Sequence, residues 1–282
     1  MNGPIWRVAE RAFDCSDRTL VMGILNVTPD SFSDGGRFLD RATAVAHGSR
    51  MVEDGADILD VGGESTRPGS EPVLAEEELG RVRPVIERLV ELHPGIPVSI
   101  DTRKADVAAE ALEAGATIVN DVSGGSDPKM FEVVREREAA VVLMHMQGDP
   151  KTMQEEPRYD DVVAEVHEYL RQRIEAAELA GIDQRRIAID PGIGFGKDHG
   201  HNLELMRRVG ALRDLGRPVL VGPSRKRFIG TILDLPEDER VEGTIGAVVW
   251  MIARGAHVVR VHDVKEVVRA VRVVDAIARA NV

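Results

Sequence analysis

A chain with a single cysteine, Cys15, among its 282 residues cannot close an internal disulfide. Its fold must rest on packing and hydrogen bonds, which suits a reducing compartment. Long apolar runs are missing too. The longest, over 245–253, is far too short to span a bilayer, and the first residues lack the apolar core of a signal peptide. A cytoplasmic protein is expected. Positive charge is also short: 36 Lys and Arg stand against 48 Asp and Glu, a net charge of -12. That argues against a general nucleic-acid binder, which needs a basic face. It leaves room for a local cluster of Arg and Lys that takes a small anion. No low-complexity linker divides the chain, which is therefore expected to form one domain over 1–282, with 1–18 as an N-terminal extension.

What the chain does have is a repeated unit: a short β-branched run, a polar or glycine-rich loop, then an apolar pattern of helical period. The runs over 20–27, 58–62, 98–100, 118–120, 141–144, 187–189, 219–221 and 258–261 are almost wholly apolar, as parallel strands covered on both faces must be. Between them, 42–54, 75–92, 105–114, 130–138, 162–180, 203–215, 243–253 and 264–280 carry helical periodicity. The pairs Gly55-Ala56, Gly115-Ala116, Gly181-Ile182 and Gly255-Ala256 suit left-handed caps before a strand. Eight alternations predict an α/β fold, a single (β/α)8 TIM barrel. The stretch before residue 19 is expected to cover the barrel bottom or to add a short hairpin.

The active site of such a barrel lies at the C-terminal ends of its strands. Every one of the eight ends is polar here, which is more desolvation than structure alone requires. Some of these groups are expected to pair with one another, Asp101 with an arginine for example. The remainder sort by partner. Asp101, Asn120 and Asp190 are acceptors or mixed donor-acceptors, fitted to a nitrogen-rich ring with N–H groups. Arg67, Lys226, Arg260 and His262 are donors, fitted to phosphate or carboxylate oxygens. Asn26 suits magnesium, which takes few protein ligands beside phosphate and water.

The rim motifs are similar to those of dihydropteroate synthases, the pterin-binding barrel enzymes of folate biosynthesis that sulfonamides target. The match runs through Asn26-Val-Thr-Pro-Asp-Ser-Phe-Ser-Asp-Gly-Gly36, Asp60-Val-Gly-Gly-Glu-Ser-Thr-Arg-Pro-Gly69, Ser99-Ile-Asp-Thr102 and Val119-Asn-Asp-Val-Ser-Gly-Gly125. It continues through Met144-His-Met-Gln147, Asp190-Pro-Gly192, Ser224-Arg-Lys226 and Arg260-Val-His-Asp-Val264. Any one of these is weak; eight in order are specific. The resemblance implies condensation of 6-hydroxymethyl-7,8-dihydropterin diphosphate with 4-aminobenzoate, giving 7,8-dihydropteroate and diphosphate. It implies that Asp101, Asn120, Asp190 and Lys226 hold the pterin, with Met144 and Phe195 lining its pocket. Arg260 would stack on the ring and, with His262, Asn26 and Mg²⁺, bind the diphosphate. Phe32, Thr66, Arg67 and Pro68 would form the aminobenzoate site, with Ser224 and Arg227 close by. The expected catalytic set is Asp101, Lys226, Arg260 and His262, in an SN1-like path with no covalent nucleophile, and the expected assembly is a homodimer.

Two other classes share some of these residues. A methyltransferase barrel acting on a folate would use Asp101, Asn120 and Asp190, but has no need of Thr66-Arg67, Ser224-Arg-Lys226 or Arg260-Val-His262. A non-catalytic pterin binder would keep the motifs without the reaction. The loops after the first two strands, rich in Gly, Ser and Pro, are expected to act as lids. His145 reads as either a structural histidine or a substrate contact. The two histidines of Lys197-Asp-His-Gly-His201 fall short of a metal site. Glu76-Glu-Glu78 reads as a solvated first helical turn, 147–161 as a surface loop, and the glycines of 192–196 lack the acidic residue of a dinucleotide fingerprint.

Overall fold

The computed structural model describes residues 3–28, 36–65, 69–149, 151–278 and 280. Eight parallel strands carry the fold: β3 (Leu20–Asn26), β4 (Ile58–Gly62), β5 (Val98–Asp101), β6 (Ile118–Asp121), β7 (Ala140–Met144), β8 (Ile187–Asp190), β9 (Leu220–Val221) and β10 (Val258–Val261). Their order is β8-β7-β6-β5-β4-β3-β10-β9, and a parallel bridge between Ile189 and Val219 joins the two ends of the sheet into a barrel. The predicted eight-unit barrel is the observed one.

Period-two alternation divides each strand between two cores. Val21, Leu59, Ile100, Val119, Leu143, Ile189, Val221 and Val259 face outward and pack in one cluster with the helices. Leu20, Met22, Ile58, Ile118, Val142, Ala188, Leu220 and Val258 face inward and fill the lower barrel. The N-terminal stretch fulfils both of its expectations. β1 (Ile5–Val8) and β2 (Arg11–Asp14) form an antiparallel hairpin, and its Trp6, Val8 and Phe13 join that inward cluster. Trp6 is fully buried, and its indole N–H donates to the Arg186 carbonyl at 3.3 Å. The hairpin is a plug at the barrel bottom.

The helices are α1 (Gly36–Glu53), α2 (Ala75–Leu92), α3 (Ala105–Glu113), α4 (Met130–Glu136), α5 (Val162–Leu179), α6 (His199–Arg207), α7 (Arg227–Leu233), α8 (Val241–Ala253) and α9 (Val264–Ala278). The glycines predicted as left-handed caps all have positive φ. The helix expected over 203–215 differs. It starts earlier, because Asp198 and His201 form a reciprocal capping box, and it gives way to a 3-10 turn over Val209–Leu215. That box places the His201 ring in local structure. Among the described residues, no helix is long and apolar enough to cross a membrane.

Candidate active site

Inward register carries the chemistry to the barrel mouth. Continuing the alternation upward from the apolar layers, the next inward positions are Asp60 on β4, Asp101 on β5, Asn120 on β6, Asp190 on β8 and Arg260 on β10. Asp121, one residue past Asn120, faces outward. Its carboxylate accepts from the Ser123 and Gly125 backbone N–H groups, at 2.8 and 2.7 Å, and closes the loop instead of facing the mouth. At the level above, Gly62 on β4 and Gly222 after β9 present no side chain to the mouth. A Cβ at Gly62 would stand in van der Waals contact with Asp101, 3.5 Å from its Cβ and 3.7 Å from Oδ2, and 3.7 Å from Asn26 Oδ1, so the glycine keeps a side chain off the Asp101 carboxylate.

Arg260 is the hub. Its Nε donates to Asp60 Oδ2 at 2.6 Å and its Nη2 to Asp101 Oδ2 at 2.5 Å. Asn120 Nδ2 donates to the same Asp60 oxygen at 3.0 Å. The expected pairing of Asp101 with an arginine is thus present. Two carboxylates share one guanidinium, and the second oxygen of each, Asp60 Oδ1 and Asp101 Oδ1, is buried with no hydrogen-bond partner among the described residues. Buried acceptors left unpaired are expensive, and here both belong to inward residues at the barrel mouth, where a ligand with N–H groups would satisfy them. Burial pushes the Asp101 carboxyl up despite Arg260, with Asp60 adding to the rise. Although burial opposes it, Asp60 and Asp101 hold the Arg260 guanidinium more firmly protonated than usual.

Asp190 and Lys226 form the neighbouring part. Asp190 Oδ1 accepts from the Gly192 N–H at 2.7 Å. Burial raises its pKa, while Lys226 opposes the rise. The Lys226 amine donates to the Ile193 carbonyl and lies 4.4 Å from the centre of the Phe195 ring. Burial pushes it down to about 8, with Asp190 opposing. Met144 is buried and pairs in register with Asp190.

On the side of β9 and β10, Ser224 Oγ lies 3.0 Å from His262 Nδ1 and accepts from the His262 backbone N–H at 3.1 Å. With the hydroxyl donating to Nδ1, the neutral ring carries its proton on Nε2, a donor for an anion. Between Ser224 and Lys226, Arg225 takes a left-handed φ of 57°. Its guanidinium pairs with Asp263, at 3.0 Å through Nε, binding the loop after β9 to the loop after β10. Asn26 ends β3 opposite Gly62, which is itself opposite Asp101. Arg227 stands exposed at the start of α7; among the described residues its side chain has no hydrogen bond to this network. Phe32, Thr66, Arg67 and Pro68 lie outside the described residues, as do the central parts of the two loops expected to act as lids.

Two sequence readings are corrected, for Glu78 and the 147–161 loop, and of the two readings of His145 the structural one fits its surroundings. Glu78 is not solvated: it is fully buried and pairs with Lys104 at 2.5 Å, and Lys104 also reaches Glu64 at 2.6 Å. The 147–161 loop is partly internal, since Met153 is buried, Gln154 donates to the Gly194 carbonyl at 2.8 Å and Tyr159 to the Gly196 carbonyl at 2.7 Å. His145 is buried against Tyr169, edge to face at 4.8 Å, and is bonded to Lys197. Asp60 was not singled out from sequence. The signal for it was present: one charged residue in the middle of the apolar strand β4.

Comparison with known proteins agrees with this geometry. A profile for "Pterin binding enzyme" matches residues 22–262. The dihydropteroate synthase of Escherichia coli K12 is 49% identical over 261 residues, 93% of this chain and 92% of its own. The Xanthomonas albilineans dihydropteroate synthase structure with 4-aminobenzoic acid superimposes with a TM-score of 0.92 at 49% identity, over 99% of both chains. The same enzyme in complex with 7,8-dihydropteroate does so with a TM-score of 0.89 at 47% identity, over 98% of this chain and 100% of that one. The chain therefore belongs to the pterin binding enzyme family, as one of its dihydropteroate synthases.

Proposed function

We propose that the chain joins 6-hydroxymethyl-7,8-dihydropterin diphosphate to 4-aminobenzoate, releasing diphosphate, with the pterin seated on the inward carboxylates of the barrel mouth. The observation that carries this is the pair of unpartnered buried oxygens, Asp60 Oδ1 and Asp101 Oδ1, at the barrel mouth with the inward Asn120 and Asp190. An aminopyrimidinone offers a ring N–H and an exocyclic amine, the donors those oxygens lack. Lys226 and Arg260 complete the pterin half, with Phe195 and Met144 as its apolar walls. Ser224 and His262 lie on the anion half, and Phe32, Thr66, Arg67, Pro68 and Arg227 belong with the aminobenzoate.

Charge supports an SN1-like path. As diphosphate leaves the methylene carbon, positive charge spreads into the pterin. The carboxyls of Asp60, Asp101 and Asp190 line the pterin half, and positive charge developing on the ring would be stabilised by their charged forms, while His262 would meet the departing anion, the role expected also of Arg67. The aromatic amine, unprotonated at neutral pH, then attacks the carbon and loses a proton, so no covalent nucleophile is needed. The donor set fits a magnesium ion brought in by the diphosphate. Asn26 offers one amide oxygen, and the described residues hold no cluster of three His, Cys, Asp or Glu that would bind a metal on its own. Bound there, Mg²⁺ would neutralise charge on the leaving group.

Two further readings accompany this one. The single cysteine supports a cytoplasmic location. Leu203, Met206, Phe228, Ile232, Leu233 and Trp250 line an apolar hollow of about 410 Å³ on α6, α7 and α8, and Ile232 and Trp250 are 57% and 45% exposed. A patch of this kind supports a homodimer through that face. Sedimentation of Trp250→Glu as a monomer, against a dimeric parent, tests it. The function itself is tested by mixing purified protein with the pterin diphosphate, 4-aminobenzoate and Mg²⁺. Equal amounts of dihydropteroate and diphosphate are expected; neither product, or a trapped covalent pterin adduct, contradicts the reading.

A further inference from the structure

Lys197 takes no part in the chemistry above, yet it is among the largest fully buried side chains, at 2% exposure. Its amine meets no carboxylate within ion-pair distance among the described residues. Instead Nζ lies 2.9 Å from His145 Nδ1 and donates to the Phe195 carbonyl at 2.9 Å and the His145 carbonyl at 3.5 Å. Burying an amine among neutral acceptors is costly, and a methionine of similar shape would avoid the cost. Burial pushes the amine down to about 7. Burial, and after it the Lys197 charge, pushes His145 down to about 3, so its ring is neutral, and with the Lys197 ammonium donating to it Nδ1 is the acceptor.

The groups that Lys197 holds are those that seat Lys226. The 192–196 turn carries Ile193, whose carbonyl accepts from Lys226, and Phe195, whose ring lies under the Lys226 amine. At its start, Gly192 (φ 69°) donates to Asp190, and a Cβ there would stand 1.9 Å from the His145 carbonyl and 3.4 Å from Lys197 Nζ. The turn is thus pressed onto the end of β7, and the Lys197 amine is the polar tie between the two. We propose that Lys197 is a positioning residue: its amine, bonded to His145 Nδ1 and the Phe195 carbonyl, holds the 192–196 turn in the shape that seats Lys226 beside Asp190 for the pterin.

This rests on Asp190, Phe195 and Lys226 forming the pterin half, so the test carries Lys226→Ala as its reference. Steady-state constants for both substrates, with melting temperatures, are measured for Lys197→Met, His145→Leu and His145→Asn. Asparagine keeps an oxygen near the Nδ1 position; leucine does not. Lys197→Met and His145→Leu are expected to raise KM for the pterin diphosphate by about tenfold or more with little change for 4-aminobenzoate, since a small misplacement of a binding group costs that much. His145→Asn is expected to restore most of the loss. The proposal is overturned if only the melting temperature or active fraction falls, if both KM values rise together, or if asparagine behaves as leucine. Should Lys197→Met fail to fold, the His145 pair decides alone. An unchanged pterin KM in Lys226→Ala would instead overturn the underlying assignment of the pterin half.

Discussion

Asp60 and Arg260 are 200 residues apart in the chain and 2.6 Å apart across the barrel mouth. Asp60 is fully buried, and one of its oxygens serves both Arg260 and Asn120. Removing it would leave a largely buried guanidinium with one carboxylate and Asn120 without its acceptor. Asp60→Ala is expected to cost about 3–5 kcal/mol of stability. Thermal unfolding would show this as a fall of roughly 10 °C for a chain of this size. An unchanged midpoint would mean that the shared oxygen contributes little.

Lys226 sets a pH limit. Burial lowers its amine to about 8, so the proton is present below that pH and lost above it. The value of kcat/KM for the pterin diphosphate, which reports on the free enzyme, is expected to fall as pH rises through about 8. Lys226→Arg keeps its charge throughout this range, so its weaker activity should lack that alkaline limb. Retention of the same limb in the arginine variant would assign it to another group.

The hairpin plug predicts the opposite kind of effect. Trp6 lies at the end of the barrel away from the carboxylates, in contact with the lowest inward layer. Trp6→Ala is expected to cost about 3–5 kcal/mol through the cavity it leaves. Both KM values should stay within about twofold, because chemistry belongs to the other end of the barrel. A selective loss of pterin affinity would show that the plug reaches the site.

Gly192 tests how tightly the turn after β8 is built. An alanine there would need a left-handed φ of 69° and would place its Cβ 1.9 Å from the His145 carbonyl, a backbone atom that has no room to give. Gly192→Ala is expected to displace Asp190 and Phe195 together and to weaken pterin binding by at least about tenfold. Calorimetry with a pterin lacking the diphosphate measures it directly, and parental affinity would contradict the packing.

The barrel was legible in the sequence because each strand is a short apolar run with a glycine-bearing loop beside it, and all eight runs fall within a few residues of the observed strands. Asp101, Asn120 and Asp190 were legible as rim residues because polarity breaks those runs at their C-terminal ends, and Arg260 because it opens the Arg260-Val-His-Asp motif that ends the last run. Asp60 was not, since it sits within a run and only three-dimensional register shows that it faces inward beside Arg260. Lys197 was not singled out either, for a related reason. In sequence it begins a polar stretch with His199 and His201, whereas in the fold it is buried with its amine on His145 and the Phe195 carbonyl. Glu78 read as the first turn of a helix, and its burial follows from Lys104 reaching it across from the start of α3.

The division of the mouth into a pterin half and an anion half is tested most directly with 6-hydroxymethylpterin, which has the ring and no phosphate. Its affinity for the parent protein, Asp190→Ala and Ser224→Ala can be compared by calorimetry. Loss of a buried charged hydrogen-bond partner predicts at least about a tenfold weakening for Asp190→Ala, with Ser224→Ala close to the parent. Equal losses in the two variants, or parental affinity in Asp190→Ala, would contradict the division.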